Sequence, residues 1–91
     1  MVLTNTPNSN FNDTIGLQTP LIIAGLPAYN EEKTIARVIL GAQKIAHIVI
    51  VCDDGSSDLT GEIAARLGAV VVRHEKNLGY GASLQTLFRR A

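Results

Sequence analysis

Two adjacent carboxylates, Asp53 and Asp54, stand where an apolar run beginning at His47 stops, and Gly55, Ser56, Ser57 and Asp58 follow them. Adjacent acids repel each other and a turn rarely requires both, so the pair reads as ligand-facing. A carboxylate there can accept from a base N–H or a ribose hydroxyl. One acidic pair lacks the further oxygen ligands that a divalent cation needs, so little supports a metal at this point. The same residues are also sound turn and capping chemistry, and Asp58 falls where a helix N-cap belongs. Tyr29 offers a flat apolar face with a hydroxyl, Glu31 a second ribose acceptor and Lys76 a cation.

Several other chemistries are disfavoured. Ser56 and Ser57 have no partnered histidine in the motif, which argues against a hydrolytic triad. Gly79-Tyr80-Gly81 is not a GxGxxG fingerprint, and no GxxxxGK[ST] occurs. The single cysteine, Cys52, excludes an internal disulfide and a multi-thiolate metal site, and it reads as a small core residue. His47 begins a strand and His74 ends one, and both read as edge or surface histidines.

Stepping outward, the run from His47 to Cys52 is mostly β-branched and predicts a strand buried on both faces of a parallel sheet. Leu21–Leu26 predicts an earlier strand that ends before Pro27. Asn30 is then the expected N-cap of a helix whose apolar face is Ile35, Val38, Ile39 and Ala42. A second helix starts near Asp58 or Thr60, with Leu59, Ile63 and Leu67 on one face and Gly68 as a left-handed cap. Ala69–Arg73 predicts a third strand, followed by the polar loop His74–Gly81. The last helix has Ala82 or Ser83, Leu84, Leu87 and Phe88 inward. The order βαβαβα predicts an α/β fold with a three-stranded parallel sheet ordered 3-2-1. The loops PAYNEE, DDGSSD and HEKNLGYG then share one sheet edge. Residues 1–20, rich in Asn, Thr and Pro without a hydrophobic period, are expected to be a flexible leader, with the folded part at 21–91.

A chain of 91 residues is one domain or part of one, and its formal charge of zero and four aromatic residues (two Phe, two Tyr) argue against nucleic acid. No basic cluster precedes an apolar stretch, and no apolar run approaches the ~18 residues of a membrane span. A cytoplasmic setting is expected, with the cytoplasmic face of a membrane open to a longer protein.

Three segments in this order, LPAYNEEKTI, VCDDGSSDLT and HEKNLGYGASL, resemble the amino-terminal third of inverting, GT-A-fold nucleotide-sugar glycosyltransferases. The branch they resemble is that of the dolichyl-phosphate mannose or glucose synthases. The resemblance implies a Rossmann-like nucleotide-binding half and a GDP- or UDP-hexose donor, with a polyprenyl phosphate or glycan as acceptor. By matching position, Pro27, Tyr29 and Glu31 would contact base and ribose. Asp54 would hydrogen-bond the base with Asp53 beside it, Cys52 would lend a backbone contact, and Lys76 would lie near the base or diphosphate. Asn77, Gly79 and Gly81 would shape the loop. Leu59 stands where the family usually has Gly, and Cys52 where Val is common. The resemblance also implies Mg²⁺ or Mn²⁺ on a DxD motif and a general base. After Asp58 the only acids are Glu62 and Glu75, neither in such a motif, so this piece is expected to be truncated and inactive by itself. An exposed sheet edge is expected to favour self-association. Two other readings stay open: a flavodoxin- or receiver-like signalling module, whose acidic pair should follow the first strand, and a non-catalytic association domain.

Overall fold

The computed structural model describes residues 1–7 and 20–90. Four strands, β1 (Val2–Pro7), β2 (Pro20–Ala28), β3 (Ile48–Asp53) and β4 (Val70–Arg73), form one sheet in the order β1-β2-β3-β4. The helices are α1 (Ile35–Gln43), α2 (Thr60–Arg66) and α3 (Tyr80–Arg90). β2, β3 and β4 are parallel, in the arrangement expected from the βαβαβα pattern.

β1 departs from the expectation of a flexible leader. It pairs antiparallel with β2 from Val2 opposite Gly25 to Pro7 opposite Pro20, so the sheet has four strands rather than three. Its pairing is a backbone event: it satisfies the edge N–H and C=O groups of β2 without needing a periodic apolar face. The remainder of that expected leader, 8–19, lies outside the described residues.

β2 also runs further than expected, through Pro27 to Ala28. His47 N donates to Ile22 O and Asp54 N to Ala28 O, both at 2.8 Å, so the even-numbered residues of β2 turn their polar groups to β3. Pro27 therefore directs its missing donor to the β1 side, where pairing has already ended at Gly25. No ladder bond is lost there.

Strand alternation divides the sheet into two faces. Ala24, Leu26 and Ala28 of β2 and Val49 and Val51 of β3 pack with Ile35, Ile39 and Ala42 of α1 and Ala64 of α2. Burying Ile39 alone contributes about 1.5–3 kcal/mol. The opposite face is smaller: Ile23, Ile50 and Cys52 meet Leu87 of α3. Gly25 makes the seat for that helix, since a Cβ there would already be 3.4 Å from Leu87 Cδ2.

The helices are buried more narrowly than their apolar residues suggested. Val38, Leu59 and Phe88 are exposed, whereas Thr60, Gly61 and Ser83 are buried. In α2 the buried positions are all taken by small residues, Thr60, Gly61 and Ala64, whereas α1 buries Ile35 and Ile39 and α3 buries Leu87 beside Ser83. Gly68 has the expected left-handed backbone, φ +92°, at the end of α2.

Candidate functional site

The three loops at the carboxyl ends of β2, β3 and β4 meet, as parallel topology requires, in the region where open α/β sheets bind ligands. Two different constructions occupy this edge. One is a clasp that joins two loops; the other is a cleft floored by Asp54.

The clasp joins the β2–α1 turn to the β3–α2 turn. Asn30 has φ +50°, tolerable for a short polar side chain, and is not the N-cap of α1. Its N–H donates to Ser56 Oγ at 2.9 Å, and its Oδ1 accepts from Ser57 N at 2.8 Å and from the Ser57 hydroxyl. Glu31 N donates to Thr60 Oγ1 and Glu32 N to Asp58 Oδ2, while Glu32 Oε2 accepts from Leu59 N. Asp58 Oδ1 accepts from Thr60 N at 3.0 Å and from the Thr60 hydroxyl. The N-cap of α2 is nevertheless Leu59, which makes no side-chain cap bond, so Asp58 stands one residue before the cap position expected for it. Burial raises the pKa of Asp58, but the hydrogen bonds from Thr60 and Glu32 outweigh it and leave the group below its ordinary value.

Asp53 belongs to the clasp side. It is fully buried, Oδ1 accepts from Ser56 N at 3.1 Å, and Oδ2 has no hydrogen-bond partner among the described residues. Arg73 Nε lies 3.8 Å from Oδ2, while Arg73 Nη2 donates to Ser56 O. A Cβ on Gly61 would come within 2.5 Å of Oδ2, so the absence of a side chain there is what admits the carboxylate.

Asp54 points the other way. Oδ1 accepts from Leu78 N at 2.8 Å and from His74 Nδ1 at 2.7 Å, and Oδ2 accepts from Gly79 N at 2.9 Å. Burial alone would raise its pKa; the bonds from His74, Leu78 and Gly79 outweigh burial and hold the group below its ordinary value. An ionised carboxylate only accepts, so His74 Nδ1 carries the proton in that pair. In the neutral ring Nε2 then accepts the Thr86 hydroxyl proton across 2.8 Å, with Cys52 Sγ at 3.6 Å. His74 thus follows the edge strand β4, one of the two placements its sequence position suggests, but its side chain is only 10% exposed and is not a surface group. Burial raises the Cys52 thiol pKa, and Asp54 and Asp53 add to that, so the thiol is held protonated as a core group.

Beside Asp54 is a cleft of about 250 Å³ lined by Pro27, Ala28, Tyr29, Glu31, Asp54, Asn77, Gly79, Tyr80 and Ser83. That is below the ~300–1,000 Å³ typical of complete small-molecule sites, and fits part of a ligand. Of the residues singled out from the sequence, Pro27, Tyr29, Glu31, Asp54, Asn77 and Gly79 line it together. Cys52 is sealed inside the sheet, Asp53 faces the other way, and Lys76 and Gly81 are exposed outside the lining. Gly79 adopts φ +99°, while a Cβ on Gly81 would meet nothing within 4 Å, so the fold itself does not require glycine at 81.

Tyr80, Ser83 and His74 were missed. The sheet register could have found the histidine: Asp53 pairs with Arg73, which puts the next residues, Asp54 and His74, side by side. Sequence alone marks Gly55 only as turn chemistry. Its φ is +74°, and a Cβ there would fall on the Lys76 carbonyl carbon and within 2.6 Å of Asn77 N.

The acid pair does not fit a divalent cation. Asp54 already accepts three N–H bonds, Asp53 is sealed, and among the described residues no three His, Cys, Asp or Glu side chains converge. No described helix is long and apolar enough to cross a membrane.

Comparison with known proteins bears on this edge. Residues 24–91 match the family model Glycosyl transferase family 2. An uncharacterized protein of Methanocaldococcus jannaschii, MJ1222, is 39% identical over 80 residues, covering 87% of this chain and 32% of that protein. A second from the same organism, MJ0544, is 36% identical over 70 residues, 70% of this chain and 31% of that protein. The dolichyl-phosphate hexose transferase of Haloferax volcanii is 41% identical over 59 residues, 63% of this chain and 25% of that protein. The chain spans about a third of the length of the first two relatives.

Proposed function

The chain belongs to glycosyl transferase family 2, and from that premise we propose that its loop edge is the nucleoside-binding part of a nucleotide-sugar site. The transferase moves a hexose from a GDP- or UDP-sugar to a polyprenyl phosphate or glycan. The likeness to a protein named for dolichyl-phosphate hexose transfer supports the lipid-phosphate acceptor. In that reading the reaction lies at the cytoplasmic face of a membrane, and any Mg²⁺ or Mn²⁺ on the diphosphate is held by residues other than Asp53 and Asp54.

One observation carries the reading: an ionised carboxylate, held by two backbone amides and a histidine, floors a cleft that Tyr29 and Tyr80 also line. Asp54 accepts a base N–H, the tyrosine rings offer faces to the base, and Glu31 accepts from ribose hydroxyls. Lys76, exposed beside the cleft, meets the diphosphate where it leaves toward solvent. Excluding water from the base strengthens each of these bonds, and their task is to orient the donor. The signalling-module and pure-association readings have no comparable support; the outer edge of β4, unpaired among the described residues, is a place where a second copy would add.

The test is an amide-resolved NMR titration of the chain with UDP, GDP and ADP, with and without Mn²⁺. Shifts are expected at Tyr29, Glu31, Asp54 and residues 77–80, and Asp54→Asn is expected to weaken binding at least tenfold, about 1.4 kcal/mol. A folded sample with no shifts, or a variant with unchanged affinity, would overturn the assignment.

A further inference from the structure

Asp54 has more hydrogen-bond partners than base recognition requires, and the surplus has a consequence for which base fits. A carboxylate offers about four lone-pair positions. Three are filled from within the chain: Oδ1 by Leu78 N and His74 Nδ1, and Oδ2 by Gly79 N. Only one position, on Oδ2, stays open, and Asp54 presents just 4% of its surface although it lines the cleft. A second donor approaching Oδ1 meets a position already held by the His74 ring. That ring is itself fixed from behind by Thr86 on α3.

Resting on the nucleoside-site reading above, we propose that His74 is a specificity-determining residue: by filling the second Oδ1 position it limits Asp54 to one bond with the base. The site therefore takes a base presenting a single N–H at that carboxylate, as uracil does through N3–H, in preference to guanine. Guanine presents N1–H and N2–H₂ on one edge and needs both carboxylate oxygens. With one oxygen closed, one of its donors loses its water without gaining an acceptor, and an unsatisfied donor in a buried contact is expensive. His74 acts through Asp54 and is not placed against the ligand.

Calorimetric titration of the chain with UDP and with GDP tests this, using the wild type, His74→Ala and His74→Asn. The wild type is expected to bind UDP at least tenfold more tightly than GDP. His74→Ala opens the second Oδ1 position and is expected to narrow that ratio below threefold, largely through GDP gaining. The side-chain N–H of Asn can stand in for Nδ1–H, so His74→Asn is expected to restore most of the discrimination, an outcome that a merely structural role would not produce. Should His74→Ala lose its dispersed amide spectrum, the wild-type ratio and His74→Asn decide the matter. GDP binding as tightly as UDP to the wild type, or a ratio unmoved by His74→Ala, would overturn this inference and leave the nucleoside site standing. Binding of neither nucleotide would overturn both.

Discussion

Asp53 and Asp54 are neighbours in sequence, both buried, and opposite in what surrounds them. Strand alternation sends Asp53 toward α2, following Val49 and Val51, and Asp54 toward the α3 side, following Ile50 and Cys52. On the first side the carboxylate tightens a turn, and the neighbouring loops bond to each other until few polar groups remain for a ligand. On the second side the carboxylate is charged, fixed and next to open volume. A pair of acids can thus divide the work at one strand end, one residue holding the loop and the other serving the cleft.

Gly55 sits between the two and should give the largest effect. Alanine there must take a left-handed φ, and its Cβ would overlap the Lys76–Asn77 backbone. Gly55→Ala is expected to cost about 3 kcal/mol of stability, measured by urea unfolding. It should also displace the 77–79 loop, so that the amides bonded to Asp54 shift along with those of the clasp. Perturbation confined to one side would show that the two constructions are mechanically independent.

Gly61→Ala strikes the clasp side only. Its Cβ would press on Asp53 Oδ2, a buried atom with nowhere to retreat, and a loss of about 2 kcal/mol is expected. Nucleotide affinity measured on the folded protein should change less than twofold. A tenfold loss of affinity would mean that Asp53 also serves the ligand.

These two glycines mark what the sequence could and could not disclose. The parallel core was legible because Val49, Val51, Ile35 and Ile39 repeat with the periods of strand and helix. So was the shared edge, which follows from the βαβαβα order. β1 was not legible, since its pairing is carried by the backbone and its residues show no apolar alternation. Nor was the clasp: Asn30 reaches Ser56 and Ser57 across 26 and 27 positions, and only the folded loops reveal that a good capping residue is used as a bridge. His74 belongs to the same class, its partner being 20 residues away.

Acid titration compares the two sides in one experiment. Asp54 and Asp58 both have folded-state pKa values below the ordinary one, so each adds stability that is fully present above the unfolded value near ~4 and is lost as pH falls through the lower, folded value. The difference in unfolding free energy between wild type and Asp54→Asn should therefore be greatest above about pH 4 and shrink below it, and Asp58→Asn should behave alike. Only Asp54→Asn should also weaken nucleotide binding. A pH-independent difference for either variant would show that its carboxylate does not titrate with the depressed value.

The smallest expected effect, and the sharpest test of where the cleft ends, is at Gly81. It lies in the first turn of α3 with space around it, so the folded chain has no steric reason to keep glycine there. Gly81→Ala should then stabilise the protein by about 0.5–1 kcal/mol through the better helix propensity of alanine, read as a rise in the urea midpoint. Without a ligand role, nucleotide affinity would stay within twofold. Should the variant be more stable yet bind UDP tenfold more weakly, the glycine serves an approaching ligand and the site continues past Gly79 along the start of α3, beyond the cleft that Asp54 floors.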